Sequence, residues 1–390
     1  MGRDGRRSPS GRRVRKSALT GTLRRVKNLT PAPKKERTTV IRGSGMYVPP
    51  QVVTNEMMGR IMDTNDEWIV PRTGIKERRF VAPGIGSAEL GTKAAEAALA
   101  DAGLTPEDVD LIVFATMTPD HYFPGNGGLL ARHLGLKTTH ALDIRMQCAG
   151  FLSGLQTADA FIRSGMYDRI LLVGSEVHSG LMPWPEPVWD VMLGKAPGPC
   201  DPAWFERATG MRDRAVLFGD GAGAMVLEAN TSGDGRGLLG FSMYTDGEHW
   251  DKLYVPGGGC RSRPYFTPEM FENLGTIPIV EGRQVFRLAA QLMPAAVQEV
   301  LAAHGRTLGD LDLLLMHQAN LRINEAAQKA LGLPDEKVFN NIQRYGNTTA
   351  ATLPIAYHEA RQEGLVKKGS LVVFTALGAG LHWGAGLVAV

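Results

Sequence analysis

From Thr39 onward, short apolar runs alternate with stretches in which apolar residues recur every three or four positions. That alternation of buried strands with amphipathic helices predicts an α/β fold. The clearest unit is His140–Gly165. Ala141–Ile144 reads as a short buried strand, Phe151, Leu155, Ala158 and Ile162 follow at helical spacing, and Gly165 stands where a helix should stop. Cys148 falls at the junction, at or near the first turn of the helix. Unpaired backbone N–H groups and the positive end of the helix dipole there favour a thiolate. Taken alone, the position fits an activated sulfur nucleophile or a buried packing cysteine.

The pattern occurs twice. Ala95–Ala115 parallels Ala296–Met316, and Cys148 through Leu172 parallels Asn347 through Leu371 at a constant offset of 199. Gly221–Glu228 parallels Gly384–Val390 at an offset of 163. An α/β unit repeated in order predicts two fused copies about a pseudo-twofold axis, with Cys148 and Asn347 at equivalent helix starts. The fall in offset places an excess of about 36 residues near Gly180–Arg214. Its three Trp and six Pro suggest a packed surface flap, either a decoration or a lid over a pocket mouth. The expected organisation is a basic tail at 1–38, a first half at 39–229 interrupted by 180–214, and a second half at 230–390.

Charge separates the tail from the body. Residues 1–38 hold thirteen Lys/Arg and two acids, which leaves 30 basic against 38 acidic residues in the rest of the chain. Disorder is the default for such a tail; an organelle transit peptide, a nucleic-acid-binding arm or an adventitious leader share its composition. The acidic body gives no reason to expect a nucleic-acid partner. The cysteines at 148, 200 and 260 are odd in number and widely spaced, which suits a reducing compartment and offers no zinc spacing. No apolar segment follows the N-terminus, and the uncharged run Leu371–Val390 contains four internal glycines, so two strands around a tight turn are expected rather than a membrane span. A cytoplasmic location follows as the expectation.

Several stretches carry candidate chemistry. TNDEWIVPRTGIKERR (Thr64–Arg79) sets Trp68 and Arg72 four apart in a turn-prone setting. MHQANLRI (Met316–Ile323) puts His317 and Asn320 just past a buried strand; a lone His there can equally be structural. RYGNTTAATLP (Arg344–Pro354) begins a helix with Asn347 near its first turn, where capping is the plain alternative. LGAGLHWGAG (Leu377–Gly386) is a glycine turn whose N–H groups can approach a ligand. GDGAG (Gly219–Gly223) lacks the dinucleotide spacing and runs into a strand, and no nucleotide or metal motif is present.

In family order, TNDEWIV, RTGI, CAGF, FGDGAGA, HQANLRI, GNT and WGA resemble the 3-oxoacyl-[acyl-carrier-protein] synthase III (FabH-like ketosynthase) family of the thiolase superfamily, over Thr39–Val390. The resemblance implies a thiolase-like fold, two duplicated α/β halves packed in α-β-α-β-α layers. It implies that Cys148 takes an acyl group from acyl-CoA as a thioester. His317 and Asn347 would hold the thioester carbonyl of malonyl-acyl-carrier-protein while carbon dioxide leaves, with the N–H groups of Cys148 and Ala379 as the oxyanion hole. Trp68, Arg72, Arg212 and Asn320 would bind CoA, with Trp68 and Arg212 sandwiching the adenine and Asn320 holding the pantetheine arm. Arg322 would meet the acidic carrier protein, and Phe123 would enter the acyl pocket of a partner subunit in a homodimer. No cofactor or metal is implied beyond these substrates. An acyltransferase acting on a non-malonyl acceptor, or a non-catalytic ketosynthase-like partner subunit, are the alternatives; an intact Cys148 opposes the second, and Asn347, an enolate stabiliser that a simple acyl shuttle has less need of, opposes the first.

Overall fold

The computed structural model describes residues 37–390. The basic tail, apart from its last two residues, lies outside the described residues. Two five-stranded sheets dominate. The first is built from β1 (Thr38–Tyr47), β2 (Leu111–Ala115), β3 (His140–Ile144), β4 (Arg169–Glu176) and β5 (Gly221–Asn230), in the order β1-β5-β4-β2-β3. The second is built from β6 (Gly237–Thr245), β7 (Leu313–Met316), β8 (Val338–Phe339), β9 (Leu371–Gly378) and β10 (His382–Ala389), in the order β6-β10-β9-β7-β8. Each strand of the second sheet thus repeats the strand five earlier. In both sheets the first two pairings are antiparallel and the last two parallel.

The helices repeat as well: α1 (Ser87–Ala102), α2 (Asn126–His133) and α3 (Gly150–Arg163) correspond to α4 (Gly282–Ala303), α5 (Leu321–Leu331) and α6 (Thr352–Gln362). α3 and α6 lie between the sheets, where Phe151, Leu155, Leu353 and Tyr357 join Leu172 and Phe374 in one buried cluster. α1 and α2 cover the outer face of the first sheet, and α4 and α5 that of the second. The result is the five-layered, thiolase-like arrangement. Parallel strands with helices on both faces must be apolar on both sides, and this is why LIVFA and LVVF read as continuous runs. No helix among the described residues is long and apolar enough to cross a membrane, and Leu371–Val390 forms β9, a tight turn and β10.

The register of the repeat differs from the sequence expectation. Leu111 pairs with Ile170 and Leu313 with Val372, each 202 positions apart, as are the helix stops Gly103 and Gly305. The offset of 199 rested on matching Gly165 to Gly364, which end α3 and α6 in left-handed conformations. But α6 has 11 residues against 14 in α3, and the following loop restores the missing three. The equivalent of Cys148 is therefore Ala350, and Asn347 is not at the matching position. Likewise Leu227 and Val388, which pair with Ile170 and Val372, are 161 apart rather than 163.

The long β4–β5 connection is more ordered than an irregular flap. It contains the helices Glu186–Met192, Pro202–Thr209 and Arg212–Ala215. Trp184, Val188, Met192, Ala208 and Met211 are buried against Met58, Ile61, Ile69 and Phe80 in a cluster separate from the layers. Arg207 donates to the carbonyls of Phe271 and Glu272, which ties this segment to the β6–α4 connection.

Candidate active site

Cys148 lies in a single 3₁₀ turn, Gln147–Ala149, that leads from β3 into α3. Gln147 takes φ of 45°, a left-handed value unusual for a residue with a side chain, and turns the chain sharply so that Cys148 faces the second half. There it meets the end of β9. A Cβ added to Gly378 would lie 2.9 Å from Cys148 Cβ and 3.0 Å from its N, so only glycine fits. The next residue, Ala379, lines the same cavity, and its backbone N–H and that of Cys148 itself both lower the thiol. These are the two N–H groups that the family resemblance assigns to an oxyanion hole.

The sulfur is not the thiolate that a helix start alone would favour. Cys148 is buried, and burial, followed by the nearby Glu176 carboxylate, pushes the thiol up to about 12. Hydrogen bonds from the N–H groups of Cys148 and Ala379 and from the Thr349 hydroxyl pull the other way. Desolvation outweighs the dipole because this junction is closed over by the second half. Glu176, fully buried, accepts from both Thr116 Oγ1 and Thr118 Oγ1 and from the N–H groups of Met117, Thr118 and Ala350. Burial still raises its own value to about 7.

His317 follows β7 and is buried; desolvation lowers its value to about 3, so the imidazole is neutral. Its Nδ1 is 2.7 Å from Thr352 Oγ1, whose hydroxyl donates to the carbonyl of Thr349 at 3.0 Å. A hydroxyl proton committed to that carbonyl leaves only lone pairs toward His317, so Nδ1 carries the ring proton and Nε2 is bare. Nε2 is buried with no protein partner, and the residue lines the cavity. Turning the Thr352 hydroxyl to Nδ1 moves the proton to Nε2, at the loss of one hydrogen bond. His317 can thus present either a lone pair or an N–H to the cavity.

Asn347 reaches the same cavity from the segment before α6. Its backbone N–H donates to Leu217 O at 2.8 Å and its carbonyl accepts from Gly219 N at 3.1 Å, strapping it to the end of the long β4–β5 connection. Gly219 has no room for a side chain, because a Cβ would lie 2.2 Å from Tyr345 O. Asn347 Oδ1 accepts from Thr349 N at 2.8 Å, which fixes the amide and leaves its Nδ2 as the free donor end. The side chain holds the first N–H of the following 3₁₀ turn and presents an N–H₂ to the cavity at once.

Cys148, His317 and Asn347 line a single cavity of about 1700 Å³, together with Ala379 and Thr349. That volume exceeds an ordinary small-molecule pocket. Trp68, Arg72, Asn320 and Arg322 line it too. Trp68 is set by the helix Asp66–Thr73, which Asn65 caps. Arg72 and Arg212 hold their guanidinium carbons 4.8 and 4.7 Å from the Trp68 ring centroid. Arg212 also bonds Asp63, so a base entering between Trp68 and Arg212 must displace the guanidinium. Asn320 caps α5 by accepting from Arg322 N and donates to Arg72 O at 2.9 Å, joining the two loops. Arg322 lies 5.8 Å from the Phe286 ring. Phe123 stands apart: it is 80 % exposed and is not among the residues lining the cavity.

Glu176, His178, Thr349 and Thr352 escaped the sequence reading. Each stands within a few residues of a recognised signal, at the end of β4 or just after Asn347, but nothing in a linear pattern says that these two segments meet.

Comparison with known proteins places the chain beside one family. The family described as 3-oxoacyl-[acyl-carrier-protein] synthase III matches residues 142–198 and 204–247, and its C-terminal part matches residues 301–390. The beta-ketoacyl-[acyl-carrier-protein] synthase III of Caldanaerobacter subterraneus subsp. tengcongensis is 41 % identical over 348 residues, 89 % of this chain and 96 % of that protein. That of Rhizobium meliloti is 41 % identical over 354 residues, 90 % of this chain and 98 % of that protein. Among solved structures, 3-oxoacyl-[acyl-carrier-protein] synthase III from Aquifex aeolicus is 39 % identical with a TM-score of 0.76, covering 90 % of this chain and all of that one. The priming β-ketosynthase of the R1128 polyketide pathway is 29 % identical with a TM-score of 0.77, covering 92 % and 98 %.

Proposed function

The chain belongs to the 3-oxoacyl-[acyl-carrier-protein] synthase III family, and on that premise we propose that it condenses an acyl-CoA with malonyl-acyl-carrier-protein through acyl-Cys148. In the first half-reaction the Cys148 sulfur attacks the acyl carbonyl, the bond from that carbon to the CoA sulfur breaks, and the thiol proton leaves with CoA. In the second, the malonyl thioester loses carbon dioxide, and its enolate oxygen is held by Asn347 Nδ2 and by His317 with its proton on Nε2. Preorganised donors of this kind stabilise developing charge without a metal or cofactor. The enolate carbon then attacks the acyl-enzyme. The N–H groups of Cys148 and Ala379 hold the oxyanion, and collapse expels the Cys148 thiolate to leave a 3-oxoacyl thioester.

The observation that carries this reading is the convergence of Cys148, His317 and Asn347 on one cavity, which Ala379 also lines. Trp68, Arg72, Arg212 and Asn320 are assigned to the CoA and pantetheine arm, and Arg322 to the acidic carrier protein. An 80 % exposed Phe123 fits a side chain that a second copy of the chain covers, so the working unit is a homodimer. The reaction belongs in the cytoplasm with its carrier-protein substrate.

Incubation with acyl-CoA should add one acyl mass to the Cys148 peptide, and Cys148→Ala should abolish both the adduct and condensation. His317→Ala and Asn347→Ala should still acylate, but release carbon dioxide from malonyl-acyl-carrier-protein at least ~10²-fold more slowly. A Cys148 that no acyl-CoA labels would overturn the reading, and normal decarboxylation by Asn347→Ala would remove that residue from it.

A further inference from the structure

His178, just past the end of β4, is absent from the chemistry above, yet it is fully buried beside it. Its ring stacks on Phe218 with centroids 4.4 Å apart and planes 21° from parallel. Nε2 lies 2.6 Å from Thr349 Oγ1, and Nδ1 is buried with no partner in the protein. We propose that Thr349 is a third hydrogen-bond donor to the Cys148 sulfur, and that His178, neutral with its proton on Nε2, is the positioning residue that aims the Thr349 hydroxyl there. The proposal rests on the reading of Cys148 as nucleophile.

The tautomer follows from the unpartnered Nδ1. A buried N–H without an acceptor is rarer and costlier than a buried lone pair without a donor. The ring proton therefore sits on Nε2 and is donated to Thr349 Oγ1. A hydroxyl has a single proton, so an oxygen that accepts from His178 must send its own elsewhere. The acceptor facing it is the sulfur: Cys148 and Thr349 stand on two 3₁₀ turns that pack together and line one cavity, and the Thr349 hydroxyl is among the groups that lower the thiol. His178 cannot serve as a proton carrier instead, because burial, and then the neighbouring His317, hold its value down to about 3.

The backbone around Thr349 is built to hold this aim. Thr349 takes φ of 47°, a rare value for a β-branched residue. Its N–H is bonded to Asn347 Oδ1 and its carbonyl to Thr352 Oγ1, so both sides of the strained residue are pinned. The same turn thus ties the sulfur's donor to the two groups assigned to the enolate. The donor would act twice per turnover. It stabilises the thiolate as the sulfur–carbon bond forms and the carbon–CoA sulfur bond breaks. It stabilises it again when the new carbon–carbon bond forms and the electron pair of the breaking Cys148 sulfur–carbon bond returns to sulfur.

The test is the rate at which iodoacetamide alkylates Cys148, followed by mass spectrometry of its peptide from pH 6 to 9, on the full-length protein. Thr349→Val keeps the branched shape and removes the hydroxyl; it should slow alkylation about tenfold or more across the range, the effect of one hydrogen bond to a charged group. Thr349→Ser should stay within about twofold of the parent. His178→Leu should slow alkylation several-fold, and His178→Gln, whose amide N–H₂ can take the place of Nε2–H, should recover most of the loss. Equal rates for Thr349→Val and the parent would overturn the proposal. So would His178→Gln as slow as His178→Leu, since a purely structural role would not distinguish a donor of matching reach. Should His178→Leu fail to fold, the valine and serine variants at 349 decide the matter. Because alkylation reads the thiol without any acyl donor, failure here is distinct from failure of Cys148 to accept an acyl group.

Discussion

The two halves of the molecule place the same strained turn at the same point and load it differently. Gln147 and Thr349 stand 202 positions apart, with φ of 45° and 47°, each at the start of a 3₁₀ turn or one residue inside its cap, ahead of a central helix. Each turn lies against the last residue of the other half's strand, and those residues, Glu176 and Gly378, are also 202 apart. At the second turn the Glu176 carboxylate takes up the N–H of Ala350, at 3.4 Å. At the first, Gly378 presents no side chain, and the N–H groups of Cys148 and Ala379 are left to lower the thiol. The helix start alone does not make a nucleophile site. A carboxylate at the end of the crossing strand occupies the Ala350 N–H at one junction; a glycine leaves its equivalent, the Cys148 N–H, free of a carboxylate at the other.

The most damaging way to break this asymmetry is Gly378→Ala. The new methyl would sit 2.9 Å from Cys148 Cβ and 3.0 Å from its N, too close for either to stay in place. Displacing one oxyanion donor costs on the order of 10²–10³ in rate, so condensation should fall by that factor. Steady-state assays with an acyl-CoA and malonyl-acyl-carrier-protein measure it, with circular dichroism to show that the variant folds. Parental turnover would show that the glycine is there for packing alone.

A smaller effect is expected from Glu176→Gln, and its pH dependence gives the sign. Glu176 titrates near 7, and its charge raises the Cys148 thiol. Below pH 6 the carboxyl holds its proton and exerts no repulsion, so parent and variant should alkylate at equal rates. Above pH 8 the parent carries the charge and the variant does not, so the variant should be faster, by up to about tenfold. In both proteins the rate should keep climbing through pH 9, because the thiol lies far above that. A plateau near pH 7 would mean that the dipole, rather than burial, sets the thiol.

That contrast marks the limit of what was legible in the chain. Local patterns carried the α/β alternation, the duplication, and Cys148, His317 and Asn347, because each sits beside a periodic or glycine-marked junction. The register differs by three from the sequence expectation because helix stops are visible in sequence while strand pairing is not: Gly165 and Gly364 announce themselves, but Leu111 beside Ile170 does not. The state of the sulfur is hidden for the same reason. The dipole is a property of one helix, whereas desolvation and Glu176 come from segments far away in the chain. His178 and Thr349 were invisible because their meeting, 171 positions apart, exists only after the halves close.

The mildest test of the comparison lies away from the cavity, where the halves should behave alike. Asp110 and Asp312, 202 apart, each precede the strand that follows the outer helix, and the backbone N–H of each donates to the opposite strand, to Arg169 O and Leu371 O. Their carboxylates answer in the other direction, but unequally. Asp110 Oδ2 accepts from the N–H groups of both Asp168 and Arg169, at 3.0 and 2.9 Å, while Asp312 Oδ2 accepts from Leu371 N at 2.7 Å. Both aspartates are exposed, so water can replace part of what alanine removes. Asp312→Ala should cost about 1 kcal/mol and Asp110→Ala about twice that, read from urea unfolding midpoints at constant slope. Neither should change turnover once the protein is folded. Equal costs would mean that the second N–H at β4 is held as well by water as by the carboxylate, and that the halves are closer to true copies than their hydrogen bonds imply.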